Sequence, residues 1–295
     1  MIKKNKKLNI VVWGGSGFIG SHVCDYFSNR GYKVVVADKI KSQWLKKNQI
    51  MFIGNINKFD HVQKSIKGAD YVFNFAGVSN IENSNKNPID TINQNLLGNL
   101  NILEASKINK IKKYIFASTI YVYSNAGGFY KCSKQASEIF VKQYQREYGL
   151  NYNILRFGTV YGTRANEKNA VYKYIKNNLD NKKTVINGEP SLLREYIHVK
   201  DVANICEKIF DKKFNNQTFI VTGNNQTRIS DLIEMISEIS GKKNKVTFNK
   251  KAKNLHYQIT PYSFEENVSK KIVSNIYTDL GQGILEIMQS LKSKK

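Results

Sequence analysis

Tyr130 and Lys134 stand four residues apart in FYKCSKQASEIF (129–140), a segment of strongly helical composition. At i, i+4 on a helix, two side chains share one face about a turn apart. A free phenol titrates near pH ~10, too high for efficient proton exchange at neutral pH, and a neighbouring ammonium favours the phenolate. The pair therefore predicts an acid/base group. Chance could also generate it, since the chain holds 17 tyrosines and many lysines. Position discriminates. The pair follows the strand-like YIFASTIYVY (114–123), which carries Ser118 and Thr119 where the strand should end. In an open α/β sheet, ligands sit beyond the carboxyl ends of the strands. A hydroxyl there, with the tyrosine and lysine, makes a proton-transfer triad for the oxygen of an alcohol or ketone, the half of a hydride reaction that a nicotinamide leaves to the protein.

A second constellation lies near the N-terminus. Gly14, Gly17 and Gly20 follow the apolar LNIVVW (8–13) and precede a helical pattern over 18–28. This spacing suits a tight turn, close backbone approach to a pyrophosphate, and a helix N-terminus aimed at the anion. An ordinary strand-to-helix turn would also use glycines. Asp38, ending KVVVAD (33–38), tips the balance. An acid about 20 residues on is placed to grip the adenosine ribose hydroxyls. Its charge would repel a 2′-phosphate, which favours NAD over NADP, although Lys39 and Lys41 weaken that preference.

The elements needed to position these groups are present. Short β-branched runs at 8–13, 33–37, 71–75, 112–118 and 151–157, with a weaker one at 50–53, read as buried parallel strands. Helical patterns over 18–28, 60–66, 88–106 and 130–148 separate them. The alternation predicts an α/β fold, a doubly wound parallel Rossmann sheet. Further on, a helix near 168–180, a strand near 184–187, a strand leading into a helix over 192–210, a strand at 218–223 and helices at 229–239 and 283–291 are expected. Residues 1–164, rejoined by 195–223, should form the dinucleotide-binding domain. Residues 165–194 and 224–295 should form a smaller substrate-binding lobe.

Composition narrows the function. A chain of 295 residues with 41% apolar content can build a sizeable core. Its three cysteines, Cys24, Cys132 and Cys206, lack metal-ligand spacing and point to a reducing cytoplasm without disulfides. No run of about 18 apolar residues occurs, so no membrane span is expected. The formal charge of +23 comes from lysines scattered among asparagines and isoleucines, without a nucleic-acid recognition motif. Nucleic acid is therefore not the expected partner. The field favours anionic small molecules. No metal site is expected.

These segments together resemble the extended short-chain dehydrogenase/reductases that act on nucleotide sugars. The likeness is carried by GGSGFIG (14–20), Asp38, FNFAG (73–77), NQNLLGNLNILEAS (93–106), ASTIYVY (117–123), YKCSK (130–134), LRFGTVYG (155–162) and REYIHVKDVA (194–203), in matching order and spacing over roughly residues 8–212. The resemblance implies that Tyr130 is the acid/base, that Lys134 lowers its pKa and holds the nicotinamide ribose, and that Thr119 hydrogen-bonds the reacting sugar oxygen. It implies that Gly14, Gly17, Phe18, Ile19 and Gly20 line the pyrophosphate site and that Asp38 takes the ribose. Asn55 and Ile56 would edge the adenine, Phe75, Ala76 and Gly77 the nicotinamide ribose, and Asn95 would support the site from behind. Thr159 and Arg194 would meet the substrate, with Arg194 on its diphosphate. A homodimer joined by the helices at 88–106 and 130–148 is also implied.

Departures from that pattern bear on the reaction. Asn55 replaces an acid beside the adenine, Thr159 replaces an asparagine, and the connection from Tyr123 to Tyr130 is short. Where the family's 4,6-dehydratases carry Asp–Glu after the threonine, this chain has Ile120 and Tyr121, neither able to serve as that acid or base. The expectation is C4 epimerisation of a nucleotide sugar through a 4-keto intermediate. A 4-ketoreductase or 4-dehydrogenase is the alternative, and a non-catalytic dinucleotide-binding regulator a lesser one. His22 and His198 are expected to be structural, and Glu265–Glu266 to be solvated surface.

Overall fold

The structure is a computed structural model and describes residues 8–249. The expected helix at 283–291 and Glu265–Glu266 lie outside the described residues. Strands β1 (Asn9–Trp13), β2 (Lys33–Asp38), β3 (Gln49–Ile53), β4 (Tyr71–Asn74), β5 (Lys113–Thr119) and β6 (Tyr152–Phe157) fall where the apolar runs place them. The next strands are β7 (Thr159–Tyr161), β8 (Thr184–Asn187), β9 (Leu193–His198) and β10 (Gln217–Val221). The last two are β11 (Gln226–Arg228) and β12 (Val246–Asn249). The main sheet runs β3-β2-β1-β4-β5-β6-β10. Every pairing in it is parallel. The chain winds outward from β1 to β3, crosses back to β4, and winds outward again. The switch point between β1 and β4 is where such a sheet opens a crevice at its carboxyl edge.

Burial of both faces explains the continuous apolar runs. In β1, Ile10 and Val12 join one core with Phe27 and Val199, while Val11 and Trp13 join the other with Ile102 and Val141. The first face is covered by α1 (Phe18–Asn29) and, further along the chain, by the helix Val199–Lys208. The second carries α2 (Phe59–Ile66) and the helices between residues 81 and 148. Helices α3 (Ile81–Lys86) and α4 (Pro88–Ile92) lead through a π-turn (Asn93–Leu97) into α5 (Gly98–Ile108). Helix α6 (Gly128–Tyr148) then carries the tyrosine–lysine pair. One uninterrupted helix was expected over 88–106. The π-turn widens it where Asn95 is drawn inward by side-chain hydrogen bonds, a distortion common at functional sites.

Beyond β6, α7 (Ala170–Leu179), α8 (Val199–Lys208) and α9 (Ile229–Ser240) accompany two small sheets, β11-β9-β7 and β12-β8. A separate small core of Ile186, Leu192, Ile229 and Ile233 holds this part together. The parallel β8–β12 pair was not anticipated, because VTFN (246–249) has no apolar run long enough to announce a strand. Among the described residues, no helix is long and apolar enough to cross a membrane.

Candidate active site

The crevice at the β1/β4 switch point is built from backbone. Gly14 leaves β1 with φ +77°, and a Cβ there would lie 2.5 Å from the Ala76 nitrogen after β4. A Cβ on Gly20 would lie 2.2 Å from the Gly14 carbonyl, so the first turn of α1 packs directly against the strand turn. Gly17 caps that helix, and Phe18 and Ile19 open it. Gly17 at the start of α1 lines the crevice, so the helix N-terminus borders it, which suits an anion.

A cavity of about 200 Å³ occupies this position and is lined by Gly14, Gly17, Asp38, Asn55, Ile56 and Phe75 to Gly77. The sequence indicated all of these residues. It missed Trp13 at the end of β1, Gly54, Val78, Asp90 and Gln94, which with Lys39 complete the wall. Asp90 and Gln94 arrive from α4 and the π-turn, whose approach to the sheet local spacing does not show. Asp38 ends β2 with Oδ2 accepting the Ser16 N–H (3.1 Å) and Oδ1 the Ile40 N–H (3.4 Å). Its carboxylate is thereby aimed at the glycine turn. Asn55 is exposed. Its side-chain oxygen accepts the Asn57 N–H (2.9 Å) and its backbone N–H meets His61 Nδ1 (3.1 Å). Asn95 stands behind the wall. It accepts the Val78 N–H (2.7 Å) and donates to the Val78 carbonyl (3.0 Å) and to Ser133 Oγ (2.9 Å), tying the loop after β4 to α6. A hollow of about 500 Å³ beside Asn181 and residues 242–245 lies elsewhere and gathers only lysines and asparagines.

The catalytic candidates meet at the end of β5. Strand alternation sends the two hydroxyls opposite ways. Thr119 bonds the Tyr130 phenol, whereas Ser118 turns away to donate to Glu138 (2.5 Å). Burial pushes the Tyr130 phenol up to about 12, and the Thr119 hydrogen bond opposes that rise. The expected lowering by Lys134 is not found in this arrangement. The Lys134 ammonium donates to the Ala117 carbonyl (2.8 Å) and lies 4.7 Å over the Phe116 ring. Burial also drives Lys134 down to about 8, with Glu138 opposing the fall.

The residues after Thr119 are equally informative. Ile120 is buried, and the Tyr121 ring stands edge-on to Tyr130 with centroids 6.4 Å apart. The Tyr121 N–H donates back to Thr119 Oγ1 (3.3 Å). Sequence reasoning missed Glu138 and Arg156, a buried ion pair beneath this corner. Two signals were available: Glu138 follows Lys134 at i+4, and Arg156 is a charge inside the apolar strand NYNILRF (151–157).

Thr159 and Arg194 belong to the small β11-β9-β7 sheet, with Thr159 in register with Tyr196. Arg194 is buried and donates to the Leu193 carbonyl (2.7 Å). Its charge opposes the burial-driven rise of the Tyr174 phenol on α7. His22 reaches the Thr163 carbonyl (2.9 Å) and His198 caps α8 (3.3 Å to the Lys200 N–H), both structural duties.

Comparison with known proteins now adds the family. Residues 10–222 match the model of the NAD dependent epimerase/dehydratase family. A candidate UDP-glucose 4-epimerase of Methanocaldococcus jannaschii is 29% identical over 273 residues, spanning 85% of this chain and 88% of that protein. The crystal structure of a Thermotoga maritima UDP-glucose 4-epimerase with UDP-glucose superposes with TM-score 0.80 at 27% identity, over 87% of this chain and 90% of the other. A UDP-N-acetylglucosamine 4-epimerase from Methanobrevibacter ruminantium, in complex with UDP-N-acetylmuramic acid, also gives 0.80 at 26% identity, over 88% and 90%. The glycine turn, the acid after β2 and the open switch-point crevice fit a dinucleotide, and the match covers them all. This chain belongs to the NAD dependent epimerase/dehydratase family, with NAD as its cofactor.

Proposed function

We propose that this enzyme inverts C4 of a nucleotide-linked hexose through a 4-keto intermediate, with Thr119, Tyr130 and Lys134 as its catalytic residues. The observation that carries this reading is the pair of side chains directly after Thr119. The threonine is hydrogen-bonded to Tyr130, and the next two positions hold a buried isoleucine and an aromatic ring. Neither carries the carboxyl group with which the family's 4,6-dehydratases protonate the leaving hydroxyl and take up the neighbouring proton, so the corner supports oxidation and reduction at one carbinol. NAD, when bound, accepts and returns the hydride. Tyr130 takes the proton of the sugar hydroxyl as that hydride leaves and gives it back on return. Thr119 orients the reacting oxygen. Lys134 holds the nicotinamide ribose and, with that charge beside it, the phenolate becomes accessible. Gly14, Gly17, Phe18, Ile19 and Gly20 cradle the pyrophosphate, Asp38 the adenosine ribose, Asn55 and Ile56 the adenine. Thr159, at the edge of the dinucleotide-binding domain, and Arg194, from the smaller lobe expected over 165–194 and 224–295, contact the nucleotide sugar.

Similarity to UDP-sugar 4-epimerases makes UDP-glucose the first substrate to test. Ile89, Leu97, Ile139 and Phe140 leave apolar surface on α4, the π-turn and α6. That surface supports a homodimer formed through these helices. Free Cys24, Cys132 and Cys206 agree with a cytoplasmic setting.

Incubation with UDP-glucose, followed by NMR and by absorbance of reduced nicotinamide, separates the possibilities. Appearance of the C4 epimer without net absorbance change is the expected result. A stoichiometric absorbance change would instead mark a 4-ketoreductase or 4-dehydrogenase. Tyr130→Phe should lower turnover by about 10²–10⁴-fold. A loss of less than tenfold would remove Tyr130 from the acid/base role.

A further inference from the structure

Beneath the catalytic corner lies a buried charge pair that none of these steps uses. Glu138 sits one turn beyond Lys134 on α6 and is 4% exposed. Arg156 from β6 grips both its oxygens, Nε to Oε1 at 3.0 Å and Nη2 to Oε2 at 2.6 Å. Ser118 Oγ donates to Oε1 at 2.5 Å, and Arg156 Nη1 bonds the Tyr123 hydroxyl. The carboxylate is thus fixed at every turn and kept out of water.

Lys134, 5% exposed, presents the complementary problem. Its ammonium has a carbonyl and an aromatic face as close neighbours, and neither carries a full negative charge. A desolvated ammonium without a counter-charge sheds its proton. Several groups face it from the surrounding elements. Tyr130 and Glu138 come from its own helix. The Ala117 carbonyl and the Ser118 and Thr119 hydroxyls come from β5. Behind Glu138 stand Arg156 from β6 and Tyr123 from the turn at 120–123. Within that set Glu138 supplies the negative charge.

We propose that Glu138 is a positioning residue for the reaction: clamped by Arg156 and Ser118, its carboxylate keeps Lys134 in the ammonium form that cofactor binding and phenol ionisation require. This rests on the roles given to Tyr130 and Lys134 above. The clamp has a purpose. Because Arg156 and Ser118 occupy the carboxylate oxygens, Glu138 acts on Lys134 through its field, and the ammonium keeps its bond to the Ala117 carbonyl. The two influences already oppose each other, burial driving Lys134 down to about 8 and Glu138 holding it up. Removing the carboxylate leaves burial unopposed and the Arg156 guanidinium unpaired, and both push the lysine to turn neutral at lower pH.

The test compares wild type with Glu138→Gln in two measurements across roughly pH 6–10, about two units either side of the value of about 8 to which burial drives Lys134. One is NAD affinity by calorimetry with NAD alone, and the other is the rate with UDP-glucose. The variant should lose both at a pH at least about one unit lower than wild type and recover toward wild type near pH ~6. Lys134→Arg placed in the Glu138→Gln background should abolish the shift in NAD affinity, since a guanidinium stays charged. A purely structural lesion would show neither acid recovery nor rescue. If Glu138→Gln does not fold, Glu138→Gln with Arg156→Met removes both charges and should show the same direction of shift. Identical profiles in wild type and variant, or a shift to higher pH, overturn the proposal. If no sugar is turned over, the catalytic reading fails while the NAD-affinity arm still decides this one.

Discussion

Asp38 and Glu138 are both carboxylates near the cofactor crevice, yet they are built for opposite ends. Asp38 is half-buried at the tip of β2 and accepts only two backbone N–H groups, at 3.1 and 3.4 Å. Much of its hydrogen-bonding capacity is left for a ligand. Glu138 is fully enclosed, and arginine and serine take up its oxygens at 2.5–3.0 Å. One acid is held by main chain and offered outward. The other is held by side chains and turned inward. The difference teaches that a charge's partners, more than its distance from a site, tell whether it serves the ligand or the protein.

The largest stability effect should fall on the enclosed acid. Arg156→Met strands Glu138 without its guanidinium and should cost about 3–5 kcal/mol in denaturant unfolding, the usual penalty for an orphaned buried charge. A cost below ~1 kcal/mol would mean water reaches Glu138, and the contrast with Asp38 would collapse. Gly14→Ala should rank second. The positive φ and the 2.5 Å approach to Ala76 predict about 1–3 kcal/mol of strain and a marked loss of NAD affinity in the same titration. Asp38→Asn should be the mildest for folding, about 0.5–1 kcal/mol, because the amide oxygen can keep the shorter Ser16 N–H contact and only the long, exposed Ile40 one is lost. Its NAD affinity should nevertheless fall roughly tenfold, and discrimination against NADP should narrow, consistent with loss of about one charge-assisted hydrogen bond. Equal losses of stability at Asp38 and Arg156 would erase the distinction between the two acids.

Much of the fold was legible because parallel strands buried on both faces are written as short apolar runs, as at 8–13, 33–37 and 71–75. The glycine turn proposed to cradle the cofactor was legible for a related reason. It is made by consecutive residues at a strand end, so the spacing of Gly14, Gly17 and Gly20 and the position of Asp38 carry the geometry. VTFN (246–249) was not legible, since a four-residue strand owes its pairing with β8 to its neighbour rather than to its own pattern.

The amino-acid sequence by itself determined which residues could do chemistry and the order in which strands and helices deliver them. Helical spacing put Tyr130, Lys134 and Glu138 on one face of α6, whatever surrounds it. Tertiary structure alone decided their electrostatic states. Burial raised the Tyr130 phenol and lowered the Lys134 ammonium, and Arg156, arriving from a strand 18 residues past Glu138, fixed the counter-charge. The physical reason is desolvation. The free energy of a charge depends on everything that displaces water around it, and those neighbours come from parts of the chain that local spacing does not connect.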